Sequence, residues 1–409
     1  MALELCWHSP TFTEIFTMDK LANSSITFAS RSLVMLSLVF GNASALLAQE
    51  AIPLEKAAQQ LNTTEADAAK YWTPAKIQGA KPFAPPKRTQ TGPVDQNASE
   101  TPPQTGEAPV SVDGQPPTKA VNPKSGVRLF TPTSKETAST EQAKPVPQDV
   151  GTGGAYFTSS QLVPSFADAY YPYSTVGKFF FTIPITIPNA GDYVCSAAVL
   201  RPRVILTAGH CIHSGNGAVS GYYQNFLFVP AYNYGYAPYG LWNWAYANTT
   251  GSWFYGDGGV PNAGDFAMLE AADNSSYGTS TLGSITGWLG YLTLSLVPNH
   301  ATMLGYPVGF DSGLLMHQVN AGSYQYVSPN SGEYGSDMTG GSSGGPWIQN
   351  FGYSSSGQTG GLLSGRNQVI GVTSYGYTDP AILRQGSSIP DSGFLNLLDN
   401  VCSHRPGNC

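Results

Sequence analysis

The stretch CSAAVLRPRVILTAGHC, residues 195–211, decides the fold class of this chain. Two short apolar runs flank a turn, and a histidine stands beside the second cysteine. Similar runs, bounded by Gly, Asn, Pro and Ser, recur around it at Lys178–Ile187, Asn225–Val229, Phe266–Ala271 and Gln368–Tyr375. A helical pattern first appears near Gly393–Val401. The sequence therefore predicts an all-β sandwich or barrel with a short C-terminal helix.

Composition divides the chain near residue 151. Charged residues make up 11% of the 409 residues, whereas Gly 46, Pro 31 and Tyr 23 are abundant. Residues 152–409 contain six of the 19 basic and twelve of the 26 acidic side chains, a formal charge of −6. Such a surface has no basic stripe to follow phosphates, which argues against nucleic acid as a partner.

Residues 1–48 have the layout of a secretory signal peptide. An apolar core at Ser32–Ala48 follows basic residues and ends in small ones, with cleavage expected after Ala45 or Ala48, and Met18 is a second candidate for the true start. The core is too short and interrupted for a membrane-spanning helix. We expect an exported protein, extracellular or periplasmic, with no membrane contact after signal removal.

Residues 49–151 form the next predicted segment. From Trp72 to Val150 the chain is rich in Pro, Thr, Gln and Lys and poor in aliphatic residues. It cannot bury enough apolar surface to offset the entropy of ordering, so a disordered N-terminal pro-region or linker is predicted. A simple tether and a cleaved pro-segment remain equally open. Residues 152–409 are the predicted folded domain.

The chain has an odd number of cysteines, namely Cys6, Cys195, Cys211, Cys402 and Cys409. The first leaves with the signal peptide, and an oxidising compartment lets the other four form two disulfides. The apolar runs bring Cys195 and Cys211 together, and the last two cysteines can close a small C-terminal loop. A disulfide beside His210 would hold the imidazole still, as general-base catalysis requires.

A second motif is TGGSSGGP, residues 339–346. Glycines on both sides of Ser343 allow a strained turn that projects its hydroxyl into a cleft. The amides of Gly341 and Ser343 can then point at one spot, as in an oxyanion hole. Standing alone, the motif would be read as a Gly/Ser-rich hairpin loop.

Together these segments resemble the trypsin and chymotrypsin superfamily, and more narrowly its bacterial glutamyl-endopeptidase-like branch, over roughly Tyr171–Val401. The resemblance rests on TAGHC at 207–211, SSGGP at 342–346, YSTVGK at 173–178, FVPAY at 228–232, APYG at 237–240 and GYP at 305–307. It implies two six-stranded antiparallel β-barrels, the first at about 170–275 and the second at about 285–401. The active site would lie in the crevice between them.

The same resemblance implies a catalytic triad of His210, Asp265 and Ser343. The aspartate heads the apolar run DFAML and would accept the imidazole N–H, whereas Asp257 and Asp273 have no strand after them. The segment Ser374–Gly376, which includes Tyr375, would pair with the extended backbone of a substrate.

Three positions depart from the family pattern. Ser342 stands where an aspartate usually pairs with a new N-terminal amine, so activation by that ion pair is not expected. Thr373 stands where glutamyl endopeptidases place a histidine for the substrate carboxylate. Asp337, six residues before Ser343, either lines the specificity pocket and favours Lys or Arg, or only caps a turn.

The sequence therefore predicts a secreted, monomeric serine endopeptidase, without cofactor or metal, that acts on protein or peptide substrates through an acyl-enzyme. A metal site using His213 is not favoured, because the disulfide uses Cys211 and no carboxylate-rich histidine cluster accompanies it. Two alternatives remain: an inactive peptidase-like binding or adhesion module, and an esterase that uses the same triad.

Overall fold

The computed structural model describes residue 68 and residues 70–89, 98–99, 101–132 and 152–409, all within one compact unit, Leu47–Cys409. The expected signal peptide lies outside the described residues. Within the described part of the chain, no helix is long and apolar enough to cross a membrane.

The described regular structure is mostly β. Its helices are α1 (Pro74–Gly79), α2 (Gly251–Phe254), α3 (Leu282–Thr286) and α4 (Ser392–His404). Its strands are β1 (Lys81–Pro82), β2 (Lys87–Arg88), β3 (Ala98–Ser99), β4 (Ser111–Val112), β5 (Val127–Arg128), β6 (Phe157–Gln161), β7 (Val176–Ile183), β8 (Gly191–Val199), β9 (Val204–Thr207), β10 (Gln224–Pro230), β11 (Tyr236–Ala237), β12 (Trp242–Thr249), β13 (Ala267–Ala271), β14 (Gly290–Leu292), β15 (His300–Gly305), β16 (His317–Val327), β17 (Ser331–Gly335), β18 (Pro346–Gln349), β19 (Gln368–Val372), β20 (Gly376–Tyr377) and β21 (Arg384–Ser388).

Six strands close into an antiparallel barrel. They pair in the order β8, β7, β10, β12, β13 and β9, and β9 pairs back with β8. The barrel is filled by aromatic and branched side chains, and stacked rings such as Phe179 on Phe226, with centroids 5.6 Å apart, pack its interior. Closure leaves these strands no open edge and provides a rigid support for the residues that follow β9 and precede β13.

The expectation of a second closed barrel is wrong for the described residues. Strands β21, β17, β16, β15, β18, β19, β14 and β4 pair in that order, and β3 and β6 also pair with β16. Where β21 lies beside β19, the Val372 N–H donates to Ser387 Oγ at 2.9 Å, so a side chain replaces the backbone acceptor. One isolated bridge, Tyr375 to Gly386, completes this contact. The sheet therefore stays open there.

Part of the stretch predicted to be disordered is ordered, which corrects the composition-based expectation for residues 72–89 and 101–132. Trp72 is 5% exposed, and its indole Nε1 donates to the Asn225 carbonyl at 2.5 Å. The short strands β1, β2, β4 and β5 each pair with a strand of residues 191–377. Few aliphatic residues suffice because these segments add to sheets that already exist.

The predicted C-terminal helix is confirmed as α4. The Asp391 side chain accepts hydrogen bonds from the backbone N–H groups of Gly393 and Phe394, which caps the helix. One face is buried against the barrel at Phe394, Leu397, Leu398 and Val401. This spacing is the apolar stripe that the sequence shows near Gly393–Val401.

Candidate active site

His210 lies on a tight turn, Gly209–Cys211, directly after barrel strand β9. The predicted disulfide between Cys195 and Cys211 is confirmed and ties this turn to β8. A Cβ on Gly209 would lie 2.5 Å from the Trp253 ring, so a glycine is required for the turn to pack there. The imidazole is therefore held by covalent and packing constraints.

Asp265 orients this imidazole. His210 Nδ1 lies 2.7 Å from Asp265 Oδ2, and the backbone N–H of His210 donates to Oδ1 at 2.9 Å. Ser374 Oγ also donates to Oδ2, at 2.6 Å. The fully buried carboxylate therefore accepts three hydrogen bonds. Nδ1 of the imidazole is used in one of them, and Nε2 is the ring nitrogen that does not contact Asp265.

Ser343 lies in the loop between β17 and β18, whose shape depends on two glycines at positive φ. Gly341 has φ +95°, and a Cβ there would lie 2.5 Å from the Tyr306 carbonyl oxygen. Gly344 has φ +75°, and a Cβ there would lie 2.0 Å from Thr207 Oγ1. Since Thr207 ends β9, the loop packs closely against the strand that leads to His210.

The side chains of His210 and Ser343 are shielded from solvent. His210 is 3% exposed and Ser343 is 0% exposed. Within the described residues, His210 Nε2 and Ser343 Oγ are buried without a hydrogen-bond partner. The Gly341 N–H, one of the two amides expected to hold a substrate oxygen, donates to the carbonyl of Phe83 at 3.0 Å.

The predicted substrate-binding residues have different surroundings. Thr373 Oγ1 accepts from Trp347 Nε1 at 3.0 Å, and the buried Ser374 contacts Asp265 as described. The Tyr375 hydroxyl donates to Glu333 Oε1 at 2.8 Å, and burial raises the pKa of this phenol. The Gly376 N–H donates to the Pro86 carbonyl at 3.1 Å.

Asp337 is half-buried next to the β6 and β16 strand pair. Its Oδ1 accepts from Ser159 Oγ at 2.8 Å, and that hydroxyl lies 2.7 Å from His317 Nε2. Burial raises the pKa of Asp337, although the bond from Ser159 opposes this. Its role in a specificity pocket stays a prediction.

Ser342, which replaces the usual aspartate, and Asp273, the rejected rival of Asp265, both have defined contacts. Ser342 Oγ donates to the Thr339 carbonyl at 2.8 Å, a neutral hydrogen bond within the loop. Asp273 forms an ion pair with Arg203 at 2.8 Å and also contacts Arg405, close to the confirmed Cys402–Cys409 disulfide.

Ser196 and Glu333 were missed by sequence reasoning. Ser196 Oγ donates to the Gly341 carbonyl at 2.8 Å and accepts from the Tyr306 N–H at 3.0 Å, so it joins β8 to the serine loop. Its position directly after Cys195 was an available signal. Glu333 has no motif around it, and only the fold reveals its contacts.

The closed barrel carries His210 and Asp265, and the second sheet carries the glycine-flanked Ser343. The described residues thus combine one closed six-stranded barrel with one open sheet. No family model matches the sequence. One curated relative, an extracellular metalloprotease of Bacillus subtilis (strain 168), is 28% identical over 189 residues, which cover 43% of this chain and 52% of that protein. The chain thus spans about half the length of the curated relative it matches.

Three solved structures are similar. The protease Anisep from Arthrobacter nicotinovorans is 25% identical, with a TM-score of 0.47 over 60% of this chain and 100% of that chain. A thermostable serine protease from an extremophilic microorganism is 26% identical, with a TM-score of 0.45 over 56% and 96% of the two chains. A Glu endopeptidase is 18% identical, with a TM-score of 0.45 over 62% and 98%.

Proposed function

We propose that the chain is a secreted serine endopeptidase in which Ser343 is the nucleophile, His210 the general base and Asp265 its orienting partner. Ser343 Oγ attacks the peptide carbonyl carbon while His210 Nε2 takes the hydroxyl proton and then gives it to the leaving amine. Water, deprotonated by the same imidazole, hydrolyses the acyl-enzyme and restores Ser343. The amides of Gly341 and Ser343 hold the oxyanion in both steps.

One observation carries the proposal: Asp265 accepts from both His210 Nδ1 and the His210 backbone N–H, at 2.7 and 2.9 Å. This arrangement fixes one tautomer, with the proton on Nδ1 and a basic Nε2. The glycine-flanked serine loop packs against Thr207, three residues before this imidazole. Ser374–Gly376 and Asp337 are proposed to contact the substrate, which is a protein or peptide.

The Bacillus subtilis relative is named a metalloprotease, so we ask whether side chains of this chain could bind a metal ion. Among the described residues, ligand atoms of Cys195, His210 and Cys211 lie within 4.8 Å of one another. Both sulfurs belong to a disulfide, so neither offers a thiolate, and His210 Nδ1 is bonded to Asp265. This group does not fit a metal ion, and the proposed steps use none.

Covalent labelling tests the proposal. The purified chain is incubated with a fluorophosphonate, and the modified residue is mapped by mass spectrometry. We expect modification at Ser343 that is absent from Ser343→Ala and slowed in His210→Ala. If neither the unaltered chain nor its Arg88→Ala variant is labelled, the binding-module alternative is favoured instead. Paired peptide and ester substrates then separate an endopeptidase from an esterase.

A further inference from the structure

The cleft beside Ser343 is occupied by a segment of the same chain, Lys81–Arg88, here called the cleft segment. Strand β1 pairs in parallel with β8, and the Phe83 N–H donates to the Val194 carbonyl at 2.9 Å. The Phe83 carbonyl accepts from the Gly341 N–H at 3.0 Å. The segment thus runs from the barrel to the serine loop.

The second half of the cleft segment adds a strand to the edge predicted to hold substrate. Strand β2 pairs in parallel with β20. The N–H of Gly376 donates to the Pro86 carbonyl at 3.1 Å, and the N–H of Thr378 donates to the Arg88 carbonyl at 3.0 Å. These backbone bonds are the main-chain part of peptide recognition by strand addition.

Phe83 covers the proposed general base. Its ring is stacked on the His210 imidazole, with centroids 5.9 Å apart and planes 26° apart. The ring also contacts Phe181, Tyr193 and Tyr223 of the barrel. The segment therefore engages the Gly341 amide of the proposed oxyanion hole and covers one face of His210.

Arg88 provides the specific contact. Its side chain is buried, and Nη1 donates to Glu333 Oε1 at 2.7 Å and lies 3.2 Å from the Tyr377 hydroxyl. Lys87, its neighbour on the same strand, is exposed. Successive side chains of a strand point to opposite faces, so β2 directs Arg88 to the Glu333 carboxylate and Lys87 to the solvent.

The site around Glu333 is built for a guanidinium. The hydroxyls of Tyr375 and Tyr377 also donate to Oε1, at 2.8 and 2.6 Å, and fix the orientation of the carboxylate. The other oxygen, Oε2, accepts from Gln325 at 2.7 Å and from Arg384 at the longer distance of 3.3 Å. The shorter ion pair is thus made by a residue of the cleft segment.

We propose that the cleft contains a binding site for an arginine side chain, formed by Glu333 with Tyr375 and Tyr377, and that Arg88 is its resident ligand and anchors Lys81–Arg88 as an intramolecular inhibitor. Inhibition by this segment rests on the proposed peptidase function, whereas the arginine-binding site does not depend on that function. When the segment leaves, a peptide strand on β20 that carries arginine opposite Tyr377 takes the same site. Selection for a basic residue then lies at Glu333.

Hydrogen exchange tests the site without using activity. The full chain carries Ser343→Ala, so that it cannot process itself, and is compared with and without Arg88→Ala. Breaking a buried ion pair weakens the local structure strongly, so we expect exchange at the amides of Gly341, Gly376 and Thr378 to accelerate by about a hundredfold. Lys87→Ala removes the adjacent exposed cation and should leave these rates unchanged.

A peptide probe tests the ligand class. A capped peptide of sequence KPFAPPKR, residues 81–88, is titrated into the Arg88→Ala chain, and its counterpart ending in alanine serves as control. We expect the arginine peptide to bind at least about tenfold more tightly, and Glu333→Gln to remove the difference. Glu333→Gln keeps the shape of the side chain, so a folded variant is available even if larger changes fail.

The outcomes separate the two proposals. Equal exchange rates in Arg88→Ala and Lys87→Ala, or equal binding of the two peptides, overturn the arginine site. Faster exchange with arginine-dependent peptide binding, but no fluorophosphonate label at Ser343 in Arg88→Ala, would keep the binding site and overturn the peptidase function. Labelling that is faster in Arg88→Ala than in Lys87→Ala supports both.

Discussion

Ser374 offers a sharp test of how Asp265 is held. Its hydroxyl donates to Asp265 Oδ2 at 2.6 Å, and both side chains are fully buried. A hydrogen bond to a charged group contributes about 1.5–3 kcal/mol, and no water can replace the hydroxyl without space being made for it. We expect Ser374→Ala to lower the free energy of unfolding by that amount.

The same substitution should also alter reactivity. Looser positioning of His210 should slow labelling by about tenfold at neutral pH. The measurements are urea unfolding and the rate of fluorophosphonate labelling at neutral pH.

The matched control is Ser174→Ala, which removes a buried hydroxyl bonded at 2.7 Å to the neutral carbonyl of Thr286. It should lower the free energy of unfolding by about 1 kcal/mol and leave the labelling rate unchanged. If Ser374→Ala matches this control in both stability and labelling rate, the view that Ser374 helps to hold Asp265 in place is wrong.

Three further predictions concern stability. Burial lowers the pKa of Lys178 to about 7. The unfolded chain keeps this proton up to about pH 10.5, so the buried charge destabilises the fold more at low pH than at high pH. Urea unfolding should therefore show that Lys178→Met stabilises the fold by about 3 kcal/mol more at pH 6.5 than at pH 9.5. Burial lowers the pKa of His213 to about 4, and its Nδ1 accepts from the Gly215 N–H at 2.9 Å. Stability should therefore fall as pH drops from about 6.5 to 4, and less so in His213→Gln, as acid titration by circular dichroism would reveal. Gly344→Ala places a Cβ 2.0 Å from Thr207 Oγ1 and should abolish labelling with a loss of more than about 2 kcal/mol in stability; unchanged labelling contradicts the packing argument.

Much of the site could be predicted because its signals are local. His210 and Ser343 stand in dense motifs whose glycines and cysteines have a direct structural purpose, and the structure packs the Ser343 loop against Thr207, at the end of the strand that leads to His210. Asp265 depended on chain order and on the apolar run after it. Both disulfides followed from the cysteine count and an exported chain, and both are present.

Other features depend on partners far apart in the chain. Arg88 and Glu333 are 245 residues apart, and neither has a motif around it. Composition predicted disorder around Arg88 because few aliphatic residues are present, yet the segment is ordered by sheet edges and aromatic faces supplied by the rest of the fold. The open second sheet was not predictable either. The Ser387 hydroxyl accepts from the Val372 N–H in place of a backbone carbonyl, and such a replacement does not alter the alternation of apolar and polar residues in the sequence.

The sequence by itself determined the β class, the two disulfides and the candidate nucleophile and base, because apolar alternation, cysteine pairing and glycine-flanked turns act over a few residues. Only the tertiary structure decided that the chain's own residues 81–88 lie across that site and that a buried glutamate holds one of their side chains. Those contacts arise where separate segments meet in space. Their energy comes from desolvated charge and shared strand edges, which no local pattern records.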